Sequence, residues 1–460
     1  MSKGHIAVID IGKTNVKLAL VDLADLSEIA LVTQPNVVRS GPPYPHFDIE
    51  GHWNFLLTHL RKFHSSHRID AISVTTHGAA AALLDANGGL CAPVLDYEHN
   101  GPDNHAVAYD AMRPSFSETG SPRLPVGLNV GAQIHYQFET VPGLREATES
   151  IVTYPQYWGH RLTGVAATDV TSLGTHTDLW NPDMGRFSSL VNRLGVRDKI
   201  APPRASTDVL GPILPEIAAE TGLPPGTPVY CGIHDSNASL LPHLLTRNAP
   251  FSVVSTGTWV VAMSVGGKPV ILDPTRDTLI NVSAFGDPVP SARFMGGREH
   301  DIASGGQYPE ATEADIRSVL EAGTMLMPAV VAQNGPFIGQ TAHWIGDEPA
   351  TRTAERGVCT GFYLALVSAK CLELIGHEGP IVVEGPLARN RPYLSMLAAS
   401  TGAVVEASAS ETGTSQGAAL LAWEKDGAQL PKPVHDQVQI EKTDPMVRYA
   451  RRWTEHVRAM

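Results

Sequence analysis

The sequence predicts an α/β protein built from two domains of similar plan. Three observations support this: the chain is long, strands alternate with helices along it, and a strand–turn–strand pattern at its start returns past its middle. A chain of 460 residues exceeds what one ordinary hydrophobic core accommodates. We expect a first domain of residues 1–247, a second of residues 248–430, and a C-terminal tail of residues 431–460 that forms a docked helix.

The repeated pattern is a β-hairpin closed by a small turn. Residues 6–10 form a buried strand, Gly12 opens the turn, and apolar alternation resumes at Val16. The same order returns around Gly257, and aligning Gly12 with Gly257 sets Val16 opposite Val261. This self-similarity favours two domains built on one plan.

Periodicity, caps and turn residues predict the remaining elements. We expect strands at residues 29–33, 69–76, 80–84, 227–233, 381–383 and 404–405. We expect helices at residues 52–63, 150–163, 235–245, 313–322, 354–375, 413–424 and 446–457, another ending near residue 400, and an exposed loop at residues 298–300. Gly164 is placed to cap the helix that precedes it.

Composition and charge argue against several classes of partner. The chain has 34 Lys and Arg against 47 Asp and Glu, a net charge of −13, and no basic run that could follow a phosphate backbone, so we expect no nucleic acid. No apolar run approaches the roughly 20 residues that span a bilayer, and the apolar start is too short for a signal peptide. The four cysteines lack Cys-x-x-Cys spacing and suit reduced thiols. We expect a cytoplasmic protein with no membrane partner.

The first turn carries groups that suit a metal and a phosphate. A carboxylate ends the strand, and the turn supplies backbone N–H groups, a hydroxyl and positive charge: Asp10, Gly12, Lys13, Thr14, Asn15 and Lys17. An ordinary β-hairpin explains the same glycine and asparagine. A second turn, Gly257 and Thr258, shifts the balance, because two turns facing each other across a cleft can grip a triphosphate from both sides.

Two other strand ends carry candidate site residues. Asp235 follows a strand and begins a helix, where it is either a general base for an attacking hydroxyl or a helix N-cap. Thr76, His77 and Gly78 also end a strand, where they either hold sugar hydroxyls or belong to the core. His234 is expected to pack beside the site rather than to bind a metal.

Five motifs in order resemble the FGGY family of carbohydrate kinases. They are DIGKTNVK at residues 10–17, GIHD at 232–235, STGTW at 255–259, EGPLARN at 384–390 and GTSQGAA at 413–419. LTG at residues 162–164 with TDVT at 168–171 is similar to the mid-domain signature of that family. The resemblance therefore covers nearly the whole chain.

The resemblance implies two ribonuclease-H-like domains of the actin-like ATPase architecture with an interdomain cleft, the sugar held mostly by the first domain and ATP with Mg²⁺ as cofactor. By the same resemblance Asp235 is the catalytic base and also contacts the sugar, and Asp10 and Asp235 lie near Mg²⁺, through water. The family's nucleotide-binding positions match Gly12, Lys13, Thr14, Asn15, Lys17, Gly257, Thr258, Gly385, Pro386 and Asn390.

Details of the motifs point to one branch of the family. The loop containing Trp259 and the His234–Asp235 pair look more like rhamnulokinases and fuculokinases than xylulokinases or glycerol kinases. That implies a ketose such as L-fuculose or L-rhamnulose, phosphorylated at its C1 hydroxyl. The chain departs from the family at residues 384–386, where three glycines are usual, and at residues 96–100, which implies a rebuilt sugar pocket.

Several alternatives stay open at this stage. The phosphoryl acceptor is alternatively another ketose, such as xylulose, or a polyol. The same scaffold also suits a non-catalytic sugar sensor. It also suits a phosphohydrolase in which water replaces the sugar. A small-molecule sugar is the expected partner. A homodimer is compatible with the sequence.

Overall fold

The computed structural model describes residues 4–408, 413–423, 430, 435–441 and 443–460. The chain divides into two compact units. The first comprises residues 1–246, 280–288 and 413–431, and the second comprises residues 247–279, 289–412 and 432–460. Each unit contains a seven-stranded mixed sheet packed against helices.

The elements that precede residue 247 all belong to the first unit. Its strands are β1 His5–Ile11, β2 Asn15–Asp22, β3 Glu28–Pro35, β4 Val38–Arg39, β5 His46–Phe47, β6 Ala71–Thr76, β7 Ala81–Leu84, β8 Ser150–Thr153, β9 Thr168–Asp169, β10 Trp180–Asn181, β11 Arg186–Phe187, β12 Pro203–Arg204, β13 Val209–Pro212, β14 Pro228–Tyr230 and β15 Ile233–His234. Its helices are α1 Ile49–His67, α2 Ala106–Met112, α3 Phe116–Thr119, α4 Val130–Thr140, α5 Leu144–Ala147, α6 Tyr154–Thr163, α7 Val170–Leu173, α8 Leu190–Arg193, α9 Pro215–Thr221 and α10 Asp235–Thr246.

The elements after residue 247 continue the same numbering. The strands are β16 Phe251–Thr256, β17 Val260–Val265, β18 Thr278–Val282, β19 Pro288–Phe294, β20 Met325–Met327, β21 His343–Ile345, β22 Ile381–Glu384, β23 Val405–Ser408 and β24 His435–Val438. The helices are α11 Gly296–Ser304, α12 Glu313–Ala322, α13 Ala354–Leu374, α14 Arg391–Thr401, α15 Gly413–Ala419 and α16 Pro445–Ala459. Of these helices, α15 belongs to the first unit.

The first sheet has the strand order β13-β14-β6-β1-β2-β3, and β15 also pairs with β6. Side chains alternate across β1 because successive residues of a strand point to opposite faces. Ala7, Ile9 and Ile11 join the core beneath α1 and α6. Ile6 and Val8 join the opposite core with residues of α10 and α15. The sheet is therefore covered by helices on both faces.

Helices α10 and α15 pack at unusually short range. A Cβ built at Gly417 would lie 1.7 Å from the carbonyl oxygen of Ala238 on α10, so only glycine fits there. The hydroxyl of Ser73 on β6 donates to the carbonyl of Ala418, 2.6 Å away. These contacts attach α15 to the first sheet and to the helix that begins at Asp235.

The second sheet repeats the plan of the first and has the order β18-β19-β17-β16-β22-β23-β24. In each unit the opening hairpin is antiparallel, and its first strand pairs in parallel with a later strand. The second turn is one residue shorter, because Ile11 pairs with Val16 whereas Thr256 pairs with Val260. The predicted repeat is confirmed, but the expected match of Val16 with Val261 is wrong by one residue.

Most predicted elements are confirmed with shifted ends, and three predictions are corrected. Residues 150–163 split into β8 and α6, because the β-branched run at Ile151–Thr153 pairs with β7 before the helix starts. Residues 227–233 split into β14 and β15 at Gly232, whose φ is +93°. Residues 298–300 lie in α11 with Glu299 buried, instead of forming an exposed loop. Gly164 caps α6 as predicted.

Several predictions reach residues that the structure does not describe. The helix expected at residues 413–424 is α15 followed by a 3₁₀ turn at Leu420–Ala422, and residue 424 lies outside the described residues. The same is true of residues 1–3 and of residues 431–434 and 442 in the tail. The terminal helix expected at residues 446–457 is α16, which buries Tyr449 and Trp453.

Helix α13 is long and apolar enough to meet the length and composition test for a membrane span. The expectation that no apolar run approaches this length is therefore corrected. However, 78% of its apolar window is buried inside the structure, and a core helix passes the same test.

Candidate active site

Three strand ends of the first unit meet at one edge of its sheet. Strands β1 and β15 both pair in parallel with β6, so the carboxyl ends of all three strands lie side by side. Thr76 is in register with Ile11 on one side and His234 on the other. The predicted residues Asp10 and Asp235 adjoin these positions, so the first-unit candidates on β1, β6 and α10 come together.

Asp10 lies on the face of β1 that is covered by α10 and α15. Its side chain points to the same face of β1 as that of Val8, two residues earlier. Its cross-strand partner is Lys17, whose Nζ is 3.6 Å from Asp10 Oδ2. Burial raises the pKa of Asp10 to about 6, against the lowering effect of Lys17, and the charge of Asp235 raises that pKa further. Asp10 is thus a buried carboxylate whose negative charge is incompletely compensated.

Asp235 is the first residue of α10, directly after β15. Its Oδ1 accepts a hydrogen bond from the backbone N–H of Ser236, at 2.6 Å, and lies 3.0 Å from Nε2 of His234. Within the described residues its Oδ2 accepts no hydrogen bond. The side chain is 35% exposed. Asp235 therefore has one carboxylate oxygen held by neighbouring residues and one that is free to contact a ligand. This arrangement is compatible with a general base and with a helix N-cap.

His77 is buried in a box of aromatic rings. Its ring centroid lies 5.1 Å from that of Phe47, 5.2 Å from that of Tyr97 and 5.1 Å from that of Tyr154. Burial lowers the pKa of His77 to about 4, so the ring is neutral near pH 7. Its Nδ1 donates to the carbonyl of Gly78, 2.7 Å away, which leaves Nε2 as an acceptor. No residue of the described chain donates to that buried Nε2.

Thr76 and Gly78, the two sequence neighbours of His77, mainly support the local packing. The hydroxyl of Thr76 donates to the carbonyl of His77 at 2.8 Å and is buried. A Cβ at Gly78 would lie 2.9 Å from Nε2 of His234, so glycine leaves room for that ring. Thr75, in register with Asp10, has a buried hydroxyl with no partner in the described part of the chain.

Lys13 lies between acidic and aromatic side chains. Its ammonium contacts the carboxylate of Asp96, is 3.2 Å from Glu98 Oε2, and lies 4.8 Å from the ring centroid of Tyr97 and 5.2 Å from that of Phe47. The ring of Tyr97 also contacts that of His77. The structure thus connects the predicted phosphate turn to residues 96–98, where the sequence departs from the family pattern.

The first turn is held from outside by Asn36. The side-chain amide of Asn36 donates to the carbonyl of Gly12 at 2.7 Å, and its backbone N–H donates to the carbonyl of Thr14 at 2.8 Å. Among the hydrogen bonds of the described residues, none is donated by the backbone N–H groups of Lys13 and Thr14. Those donors are what an anion-binding turn requires.

The corresponding turn of the second unit has its own support. The guanidinium of Arg293 lies 4.7 Å from the Trp259 ring centroid and donates to the buried Asp277 at 2.9 Å. Helix α11 begins against the turn, because the N–H of Gly297 donates to the carbonyl of Thr258 and a Cβ at Gly297 would lie 2.4 Å from the carbonyl oxygen of Gly257. The turn therefore rests on β19 and the start of α11.

The predicted nucleotide stretch lies at the end of β22. Gly385 has φ +80°, and a Cβ there would lie 2.0 Å from the carbonyl oxygen of Thr256, so β16 and β22 approach closely at their carboxyl ends. Pro386 begins a 3₁₀ turn, and the side chain of Asn390 accepts from the N–H of Tyr393, at 3.0 Å, as the N-cap of α14. Gly385 and Asn390 therefore have structural roles, whether or not they also contact a ligand.

Sequence reasoning missed several residues that shape the site. Asn36 supports the first turn, Asp96 pairs with Lys13, and Thr171, Thr175 and Asn237 contact His234. Only the TDVT motif at residues 168–171 gave a signal for Thr171. Thr175 and Asn237 follow motifs closely, and Asp96 lies in the departure at residues 96–100, but their side-chain contacts with the site depend on how the chain packs.

The acidic residues of the first unit fit a hydrated divalent cation. Mg²⁺ prefers oxygen ligands and is usually held by one or two carboxylates together with water and substrate phosphates. Asp10 is buried with its pKa raised, and Asp235 is close enough to contribute to that rise. A cation would compensate both charges, and the unpartnered hydroxyl of Thr75 lies in register with Asp10.

Family models match both halves of the chain. The model described as "FGGY family of carbohydrate kinases, N-terminal domain" matches residues 5–242, and "Carbohydrate kinase FGGY, C-terminal domain" matches residues 248–431. L-fuculokinase of Salmonella typhi is 26% identical over 284 residues, 58% of each chain, and rhamnulokinase of Bacillus subtilis is 25% identical over 44% of this chain and 41% of its own. This chain therefore spans little more than half the length of the fuculokinases it matches.

Solved structures match along the whole chain. A carbohydrate kinase from Novosphingobium aromaticivorans is 34% identical with a TM-score of 0.88, and the match covers 100% of this chain and 99% of that one. A xylulose kinase from Lactobacillus acidophilus has a TM-score of 0.81 at 14% identity over 99% and 97% of the two chains, which shows the fold alone. These matches confirm the predicted two-domain fold of the sugar kinases within the actin-like ATPase architecture.

Proposed function

Because this chain belongs to the FGGY family of carbohydrate kinases, we propose that it transfers the γ-phosphoryl group of ATP to a hydroxyl of a ketose. The observation that carries the proposal is the meeting of three strand ends in the first unit, which brings Asp10, His77 and Asp235 to one edge of the sheet. Two carboxylates and a neutral histidine acceptor there suit proton abstraction beside a metal-bound phosphate.

In the proposed reaction Asp235 is the general base. Its free Oδ2 accepts the proton of the sugar hydroxyl as that oxygen attacks the γ-phosphorus, while Oδ1 stays bound to the N–H of Ser236. His77 contributes to sugar binding, because its unpartnered Nε2 can accept a hydrogen bond from another sugar hydroxyl. Gly78 leaves room for the ring of His234, and the hydroxyl of Thr76 donates to the carbonyl of His77.

The phosphate chain and the cation are assigned first to groups of the first unit. In the first unit the N–H groups of Lys13 and Thr14 would donate to phosphate oxygens, with Gly12, Asn15 and Lys17 completing the turn. Mg²⁺ would be held near Asp10 and Asp235 through water, where it supplies charge neutralisation of the β- and γ-phosphates. In the second unit the proposed nucleotide-binding groups are Gly257, Thr258, Gly385, Pro386 and Asn390.

A deoxy-ketose phosphorylated at C1, such as L-fuculose or L-rhamnulose, is the substrate we propose. The support comes from the named relatives, an L-fuculokinase and a rhamnulokinase, and from the His234–Asp235 pair. Other ketoses, including xylulose, are the alternatives that a substrate screen separates.

The test is a coupled ADP-release assay across ketoses, aldoses and polyols. We expect ADP release only when a ketose is added, and release without any sugar would identify a hydrolase instead. Asp235→Asn should fold and bind ATP but lose turnover by roughly 10²-fold or more. Asp208→Asn, a half-exposed carboxylate paired with Arg204, is the matched control. Turnover near the wild-type value in Asp235→Asn would remove that residue from its role.

A further inference from the structure

We propose that His234 is a positioning residue for the catalytic base, holding Oδ1 of Asp235 so that Oδ2 faces the substrate hydroxyl. This inference rests on the proposed function and gives a specific role to a residue that the sequence analysis expects only to pack beside the site. It begins from one distance, the 3.0 Å between His234 Nε2 and Asp235 Oδ1. A carboxylate oxygen can only accept, so the proposed hydrogen bond requires the proton on Nε2.

One neighbour of the opposite ring nitrogen agrees with that tautomer. The side-chain amide of Asn237 is 3.3 Å from Nδ1 and donates to it. The hydroxyl of Thr175 is 3.4 Å from Nδ1, but its proton already goes to the carbonyl of Thr171, at 2.7 Å, so it does not donate to the ring. The donor amide of Asn237 therefore assigns Nδ1 as the acceptor, which leaves Nε2 as the donor that the proposal requires. This is the pattern by which one ring nitrogen is fixed through the bond that the other makes.

A second network holds the backbone of His234 in place. Its N–H donates to the hydroxyl of Thr171 at 3.0 Å, and that hydroxyl donates to the fully buried carboxylate of Asp169. Asp169 also accepts from the N–H groups of Thr171 at 3.0 Å and Ser172 at 3.1 Å, and from the hydroxyl of Ser206 at 3.0 Å. A buried carboxylate with four donors is rigid, so the strand end that carries His234 and Asp235 is anchored to α7.

The space around the ring is also restricted. Gly78 faces the ring edge, where a Cβ would lie 2.9 Å from Nε2 and 3.1 Å from Cδ2. The ring cannot swing toward Gly78 or away from Asn237 without losing contacts. The carboxylate of Asp235 would otherwise rotate about its own side-chain bonds, since it is 35% exposed. The histidine therefore limits the base to one orientation.

Two nearly isosteric variants test the hydrogen bond. Glutamine places its amide nitrogen close to the position of Nε2, whereas asparagine reaches only to the position of Nδ1. We expect His234→Asn to lower kcat by about 10- to 100-fold with KM for sugar and ATP within about twofold, because a misplaced base affects the chemical step. His234→Gln should keep kcat within about threefold. His160→Asn, which alters a ring bonded only to the carbonyl of Gly88, should leave kcat unchanged.

The outcomes separate cleanly. Wild-type kcat in His234→Asn, or equal losses in the asparagine and glutamine variants with unchanged thermal unfolding, would overturn the proposal. A second measurement needs no activity: nitrogen NMR of the wild-type ring should show the proton on Nε2, and a proton on Nδ1 would refute the assignment. If no sugar promotes ADP release, the proposed function fails while the NMR result still decides the hydrogen bond.

Discussion

Glu299 of the second unit should make stability fall as the pH rises from 4.5 to about 7. It lies on α11 and is 2% exposed. Its Oε2 accepts from the hydroxyl of Tyr363 at 2.7 Å, and its Oε1 accepts from the N–H of Val331 at 3.2 Å. Burial nevertheless raises the pKa of Glu299 from its ordinary value of 4.5 to about 7. The two hydrogen bonds lower that pKa but do not offset the burial.

The sign follows from where the proton is bound. Between pH 4.5 and about 7 the folded chain keeps the proton on Glu299 while the unfolded chain has released it, so unfolding is coupled to proton release. Stability from this group is therefore greatest below pH 4.5, declines through that window and is level above it. A rise in pKa of this size corresponds to about 3 kcal/mol of free energy of unfolding.

The assay compares denaturant unfolding of the wild type and Glu299→Gln between pH 4.5 and pH 8. Glutamine cannot ionise, so the difference in unfolding free energy between the two proteins should change by about 3 kcal/mol across the window, in favour of the variant at high pH. Glu321→Gln alters an exposed carboxylate of the same unit and serves as the control. Parallel pH profiles for the wild type and Glu299→Gln would refute the reasoning.

Three other substitutions give further tests. Gly78→Ala should lower kcat by about 10-fold in steady-state assays because its Cβ displaces His234, whereas Gly226→Ala, with nothing within 4 Å, should not; equal kcat values would contradict this. Gly385→Ala should lower the unfolding free energy by about 2 kcal/mol or more, because residue 385 has φ +80° and the new Cβ would meet the carbonyl oxygen of Thr256. The same variant should bind ADP more weakly, as measured by calorimetry. Unchanged values would count against that close approach. Asp277→Ala should destabilise the protein by about 3–5 kcal/mol in thermal unfolding, because Arg293 is left as an unpaired buried charge, and a loss below about 1 kcal/mol would disprove the pairing.

The helix Asp235–Thr246 shows how well local signals work at a boundary. A strand ending in Ile233–His234 and a carboxylate at the next position predict a strand–helix junction, and the structure has one there. By contrast, the strand predicted at residues 227–233 breaks at Gly232, where a Cβ would meet the carbonyl oxygen of Val74 at 2.7 Å. That break depends on a neighbouring strand, which no local pattern reports.

The surroundings of Lys13 show the limit for the candidate site. Its place in a glycine turn predicts that it contacts a phosphate, which stays a prediction. The structure adds that its ammonium contacts Asp96, a residue 83 positions later, together with the ring of Tyr97. Asp96 was visible in the sequence only as a departure from the family pattern. Its pairing depends on how the loop after β7 packs against the hairpin turn.

The sequence by itself determined the two α/β units, the paired glycine hairpins and the three strand ends that carry Asp10, His77 and Asp235. These depend on short-range rules, namely the two-residue alternation of strands, helix caps and the conformational freedom of glycine. Only the tertiary structure decided that α15 packs on α10, that Asn36 supports the first turn, and that the ring of His234 lies 3.0 Å from the carboxylate of Asp235. Such contacts join residues by close packing and hydrogen-bond geometry, which residue spacing along the chain does not encode.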